Sequence, residues 1–243
     1  MGELDGKVAL VTGSARGQGA AEARIFAEAG ACVVLTDVLD ELGEKTAAAI
    51  NGQYVHLNVT SEAEWELVVQ DTISRYGRLD ILMNNAGIFK PAQLLKTSTQ
   101  MWDQTVAVNQ TSVFLGMRTV AKAMIAAENG GSIINTSSIA GLEGSFGATA
   151  YGATKWAVTG MTRTAAKELG RYNIRVNSIH PGVIVTDMIE DMISGREENM
   201  ASRQPIRRLG SPQDIAQMAL FLASGRSSYC TGQAFTVDGG VHG

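Results

Sequence analysis

The chain has 243 residues, enough for one large domain or two small ones, and its 45% hydrophobic content supplies material for one substantial core. Its 20 Lys and Arg against 24 Asp and Glu leave a net charge of −4 with no basic cluster, which argues against nucleic acid or an anionic membrane as the main partner. The two cysteines, Cys32 and Cys230, show no metal-ligand spacing, so no metal is expected; Cys32 opens an apolar run and reads as a buried free thiol. The opening MGELDGKVALVTG has no basic segment and only a short apolar stretch, and Gly6 stands where a myristoylation signal has Ser or Thr. A reducing, cytoplasmic setting is the expectation.

Along the chain, a short apolar run, a turn and a helical stretch repeat. Residues 8–12, 32–37, 54–58, 79–84, 132–136, 175–179 and 234–237 read as seven strands. The first six are apolar without clean alternation, as strands of a buried parallel sheet are. Helices are expected over 17–29, 42–50, 62–76, 101–127, 150–168 and 212–222, with Ser61 and Ser211 as caps and Pro212 in a first helical position. No linker or repeat divides the chain. The pattern predicts a single doubly wound α/β domain of Rossmann type, a seven-stranded, mostly parallel sheet with helices on both faces. One long connection, 182–210, is rich in Met and Ile early and polar later. We read it as a lid, with Met188, Ile189, Met192 and Ile193 on its apolar side.

The first strand runs directly into Thr12-Gly13-Ser14-Ala15-Arg16-Gly17-Gln18-Gly19, and a helix follows. Glycine here serves a turn with unusual dihedrals and lets a pyrophosphate approach the backbone and the helix N-terminus. Asp37 closes the second strand, where a carboxylate accepts hydrogen bonds from the adenosine ribose. It would repel a 2′-phosphate, and Val38 follows it, so NAD is expected over NADP. Arg16 is the contrary sign, a cation in the same loop.

Tyr151 and Lys155 are four apart near the start of a helix and so share one face. A phenol titrates near ~10, and a nearby ammonium favours the phenolate. Ser138, 13 residues before Tyr151 and just past the fifth strand, can hold a substrate oxygen beyond the carboxyl ends of the strands. Asn84-Asn85-Ala86-Gly87 and Pro181-Gly182 end two further strands at the same crevice.

With these motifs in order, the chain resembles the short-chain dehydrogenase/reductase family over essentially its whole length. The resemblance rests on Thr12-Gly13-x3-Gly17-x-Gly19, Asn84-Asn85-Ala86-Gly87, Asn109, Ser138, Tyr151-x3-Lys155, Pro181-Gly182 with Thr186, and Asp238-Gly239-Gly240. It implies Tyr151 as acid and base, Lys155 lowering its pKa and binding the nicotinamide ribose, and Ser138 holding the substrate oxygen. Asn109 would bend a long helix and hold a relay water. For NAD itself it implies Gly13, Arg16, Gly17, Gln18 and Gly19, with Asp37, Asn58 and Val59 at the adenosine. Asn85, Ala86, Gly87, Tyr151, Lys155, Pro181, Gly182, Ile184 and Thr186 would line the nicotinamide half. Ser137, one residue off the required spacing, is taken as structural.

Within the family, Val38-Leu39-Asp40-Glu41, Tyr54-Val55-His56-Leu57, Ser132-Ile133-Ile134-Asn135 and Ser227-Ser228-Tyr229-x-Thr231-Gly232 are most like bacterial 3α/20β-hydroxysteroid dehydrogenases. The chain departs from the family at Asn58, where Asp is usual and the Asn carbonyl would take over its bond to the adenine amine, and at Thr154.

These readings predict an NAD-dependent oxidoreductase moving a hydride between NAD(H) and a secondary alcohol or ketone, with a bulky, cyclic or steroid-like substrate. A 3-oxoacyl-carrier reductase is the rival enzyme, and a non-catalytic dinucleotide sensor or scaffold the rival of another class. Small residues on the later helix (Ala153, Ala157, Gly160, Ala165) and the resemblance together imply a homotetramer.

Overall fold

A computed structural model describes residues 2–242, apart from the side chains of Asp191 and Met192. Its strands are β1 (Val8–Thr12), β2 (Cys32–Asp37), β3 (Gln53–His56), β4 (Ile81–Asn84), β5 (Gly131–Thr136), β6 (Ile174–Pro181) and β7 (Ala234–Val237). They form one sheet in the order β3-β2-β1-β4-β5-β6-β7, parallel at every pairing. The expected mostly parallel sheet is thus parallel throughout, because helices cross over between each successive pair. Chain direction across the sheet reverses between β1 and β4, which opens a crevice beyond their carboxyl ends.

Residues on successive strand positions enter opposite cores. Val8 and Leu10 of β1, Leu82 of β4, Ile133 of β5 and Val176 of β6 pack with Trp65 and Val68 of α3 (Glu62–Tyr76), Val113 and Val120 of α5 (Ser112–Ala126) and Val158 of α6 (Thr149–Leu169). Ala9, Val11, Met83, Ile134 and Ile179 pack on the other face, against Ala23 and Phe26 of α1 (Gly17–Glu28), Ala47 of α2 (Asp40–Ala49) and Ile215 and Leu222 of α9 (Pro212–Ala223). Both faces being apolar is what erased alternation from the strand sequences.

Helix ends follow local chemistry. Ser61 Oγ accepts from the Glu64 N–H, and Gly77 takes φ +75° beyond α3. Ser211 and Asp214 cap α9 reciprocally, with Pro212 at its start. Four expectations need correction. The helix expected over 101–127 begins at Thr99, capped by Ser98, and is α4 (Thr99–Val106), a π turn (Ala107–Thr111) and α5 in succession. β3 ends at His56, so Asn58 lies in the following turn. The 182–210 connection is not wholly irregular; it contains two short helices, α7 (Glu190–Ile193) and α8 (Glu197–Ser202). Cys32 is exposed, because it is the first residue of β2 and sits at the open amino edge of the sheet.

On α6, Ala153 and Gly160 are exposed beside Trp156, while Ala157 and Ala165 are half-buried; Phe114 of α5 is exposed as well. No helix among the described residues is long and apolar enough to cross a membrane.

Candidate active site

A cleft of about 840 Å³ lies at the switch point. It is lined by every residue expected to bind cofactor or substrate except Gly19 and Asn109, which stand behind its wall. The three glycines divide the labour differently from the expectation. A Cβ on Gly13 (φ +63°) would stand 2.8 Å from the Ala86 Cα, and one on Gly19 would stand 2.3 Å from the Gly13 oxygen. Those two glycines serve packing of the turn against its own chain. Gly17 (φ +61°) is the one facing open space, its nearest neighbour across the gap being Thr186 Cγ2 at 3.7 Å. The gap leaves room for an anion at the N-terminus of a twelve-residue helix with unsatisfied N–H groups. Asn85 braces this arrangement, donating through Nδ2 to the Thr12 and Gly13 carbonyls at 2.9 and 3.1 Å. The Thr12 hydroxyl oxygen accepts from the Asn85 and Ala86 N–H groups.

Asp37 is held by three backbone donors, Ala15 N–H at 3.0 Å, Val38 N–H at 2.8 Å and Leu39 N–H at 3.2 Å. Oδ1 accepts from Val38 and Leu39, and Oδ2 accepts only from Ala15, so Oδ2 retains capacity for a ribose hydroxyl. Arg16 is engaged elsewhere: its guanidinium meets Asp187 at 2.8 Å, joining the glycine-rich turn to the 182–210 segment. Asn58 departs from its expected use. Its carbonyl oxygen already accepts from the Thr60 N–H (3.1 Å) and the Thr60 hydroxyl (2.8 Å), so its NH₂ is the group left to offer. Val59, Gln18, Gly87, Pro181, Gly182 and Ile184 contribute to the wall. Ile184 and Gly210 form a parallel bridge that pins both ends of the 182–210 segment, and Ile193 is buried while Met188 is half-exposed. Met192, expected beside them, lies outside the described side chains.

The reactive end is built from four elements. Ser138 is extended at the end of β5, and its hydroxyl oxygen accepts from the Ala140 N–H at 3.1 Å. Tyr151 opens toward it from the first turn of α6, with Phe89 packed edge-on at 5.0 Å between ring centroids. Lys155, one turn on, is buried and donates to the Thr136 carbonyl at 2.7 Å. Its ammonium is 5.4 Å from the centre of the Tyr151 ring. Asn109 occupies the π turn, trading bonds with Ile88 in both directions at 2.8 Å. Ser137 points the other way, donating to the Lys155 carbonyl at 2.9 Å, as a structural serine does.

Burial governs the electrostatics of both Tyr151 and Lys155. Burial pushes the Tyr151 phenol up, and only the Ser138 hydroxyl beside it acts in the opposite sense. Burial also brings the Lys155 ammonium down to about 8. Lys155 is turned to Thr136, and desolvation dominates at the Tyr151 hydroxyl.

Sequence reading missed two neighbours. His180 is fully buried in β6, with Nδ1 2.9 Å from the Ser138 carbonyl and Nε2 2.8 Å from Ser178 Oγ. A carbonyl only accepts, so Nδ1 carries the proton and Ser178 donates to Nε2. Its signal was a lone His in an apolar strand just before Pro181. The Thr136 hydroxyl, buried on the cleft wall, has no partner among the described residues; nothing in its sequence context marked it.

A family model described as enoyl-(acyl carrier protein) reductase matches residues 13–242. The chain belongs to the short-chain dehydrogenase/reductase family, a family of oxidoreductases. It is 43% identical to trans-4-hydroxycyclohexanecarboxylate dehydrogenase of Sinomonas cyclohexanicum, over 96% of this chain and 92% of that one. It is 44% identical to 3-alpha-(or 20-beta)-hydroxysteroid dehydrogenase of Mycobacterium tuberculosis, over 99% and 91%. Identity to the 3-oxoacyl-[acyl-carrier-protein] reductase of Thermotoga maritima is also 44%, over 98% of each chain.

Proposed function

We propose that the protein is an NAD-linked dehydrogenase of cyclic or otherwise bulky secondary alcohols. The observation that carries this reading is one cleft holding Asp37 at its adenosine end and Ser138, Tyr151 and Lys155 at the other. The nicotinamide, when bound, supplies the hydride acceptor. Ser138 holds the alcohol oxygen by hydrogen bonding. Tyr151 takes the hydroxyl proton, and the positive charge of the oxidised ring adds to Lys155 in favouring the phenolate that burial disfavours. Lys155 holds the ribose, and Asn109 steadies a water in the backbone gap of the π turn, through which the proton leaves. Gly17 and the α1 N-terminus take the pyrophosphate, and Ile184 and Thr186 take the carboxamide.

Identity alone does not separate an alcohol dehydrogenase from a 3-oxoacyl-carrier reductase. Cofactor preference does. Among the described residues Asp37 meets no cation, and Arg16 is already occupied by Asp187. A 2′-phosphate would remove the ribose bonds of Asp37 and face its charge, a penalty above ~1.4 kcal/mol, or about tenfold. Steady-state assays with cyclic secondary alcohols therefore give kcat/KM at least ~10-fold higher with NAD than with NADP. Equal use of both cofactors, or turnover confined to acyl-carrier substrates, overturns the reading.

Three further expectations belong to it: a cytoplasmic location, a homotetramer paired through the helices of residues 101–127 and 150–168, and a lid formed by residues 182–210.

A further inference from the structure

Past Tyr151 the cleft is walled by residues 88–90, from the segment that follows β4, and by Ser145, Phe146 and Ala148, from the segment that leads into α6. The two segments are tied together, Ala92 bridging Ala148 with its N–H donating to the Gly147 carbonyl at 2.8 Å. Phe89, from the first of them, packs against the Tyr151 ring. The lining here is apolar: Ile88, Phe89, Phe146, Val183, Met188 and Ile189.

One charged side chain interrupts it. Lys90 lines the same cleft, directly after Phe89. The remaining charged lining groups are at the cofactor end or already placed, Arg16 on Asp187, Asp37 on backbone N–H groups and Lys155 on Thr136. The ammonium of Lys90 meets Gln104 Oε1 at 2.5 Å, a neutral acceptor, and among the described residues it forms no ion pair. An ammonium has three donors, so two remain for a ligand. The acidic side chain nearest in sequence on the facing loop, Glu143, is turned to His242 at 3.1 Å.

An apolar cleft mouth with one exposed ammonium, in no ion pair among the described residues, suits a ring that carries an anion. A lone ammonium is a point charge with no planar fork and no neighbouring arginine, which matches a monoanionic carboxylate better than a phosphate, whose charge calls for several donors. We infer that the substrate is a cyclic secondary alcohol bearing a carboxylate away from the reacting hydroxyl, and that Lys90 binds that carboxylate. This rests on the dehydrogenase reading and narrows its substrate class.

The test compares two ring alcohols identical except for a carboxylate or a primary carboxamide at the position across the ring. Hydrogen bonds to charged groups carry enough energy for about a tenfold effect. The parent enzyme has kcat/KM at least ~10-fold higher for the acid, chiefly through KM, and the preference shrinks with added salt. Lys90→Met brings the acid-to-amide ratio to about one, and Lys90→Arg restores it. No acid preference in the parent, or the same ratio in Lys90→Met, overturns the inference. A second arm reads binding without chemistry: calorimetric titration with cyclohexanecarboxylate, which has no hydroxyl. It binds the parent at least ~10-fold more tightly than it binds Lys90→Met. Were neither alcohol oxidised, the dehydrogenase reading would fail and this titration would still decide Lys90; equal affinity for parent and variant counts against it.

Discussion

Two buried ionisable side chains outside the catalytic set shape how stability responds to pH. Glu22, on α1, is fully buried with neither carboxyl oxygen hydrogen-bonded among the described residues, and burial raises its pKa to about 8. It is therefore largely a neutral acid at neutral pH. The only ionisable residue of α9, the helix packed most closely on α1, is Asp214, which is committed to Arg208 and its own cap. Because the folded pKa lies above the unfolded one, folding takes up a proton, and stability falls as pH rises from about 4.5 to about 8. His180 runs the other way. Burial lowers it to about 4, so stability is lost as pH falls from 6.5 toward that value. Each unit is worth about 1.4 kcal/mol, and each kcal/mol about 2–4 °C at this chain length. Glu22→Gln should raise Tm by at least ~5 °C at pH 8 and hardly at all at pH 4.5, read by thermal melts across that range. A gain independent of pH would mean that the carboxyl does not titrate in the fold.

At the scale of elements, the Arg16–Asp187 pair and the Ile184–Gly210 bridge bear on the 182–210 segment. The bridge fixes its two ends, while the ion pair is exposed on both sides and so contributes little by itself, at most about 1 kcal/mol. Between them α7 and α8 have four and six residues, too short to be stable without packing. Met188 and Ile189 line the cleft without being fully buried. A segment so placed gains contacts when cofactor and substrate fill the cleft. Hydrogen exchange across 186–203 should slow on adding NAD and an alcohol; strong protection already in the free protein contradicts a lid. Strand and helix order was legible here because parallel strands buried on both faces read as unbroken apolar runs. The π turn was not legible, since residues 101–127 keep a helical pattern through it and Asn109 entered only by family resemblance. Nor were the roles of Gly13 and Gly19, because a glycine needed for self-packing looks the same in sequence as one that makes room for a ligand.

For the whole molecule, the exposed face of α6 with Ala153, Trp156 and Gly160, and the exposed Phe114 of α5, are apolar surface that a second copy would cover. Light scattering at micromolar concentration should give four times the chain mass of 25.7 kDa, and a monomer mass refutes the assembly. Most of the site was visible in sequence, since the strand ends that carry Gly13, Asp37, Asn85, Ser138 and Pro181 converge wherever a doubly wound sheet forms. What stayed hidden depends on side-chain direction: the commitment of Arg16 to Asp187, the Asn58 carbonyl bound to Thr60, and His180 beneath Ser138. The central claim is that one phenolic hydroxyl, poised over a dinucleotide cleft, carries the proton. Its most direct measurement is a paired one on Tyr151→Phe, NAD affinity by equilibrium titration and turnover of a cyclic secondary alcohol. The account predicts affinity within about threefold of the parent and kcat lower by ~10²–10⁴-fold. A variant that turns over within threefold of the parent would contradict it.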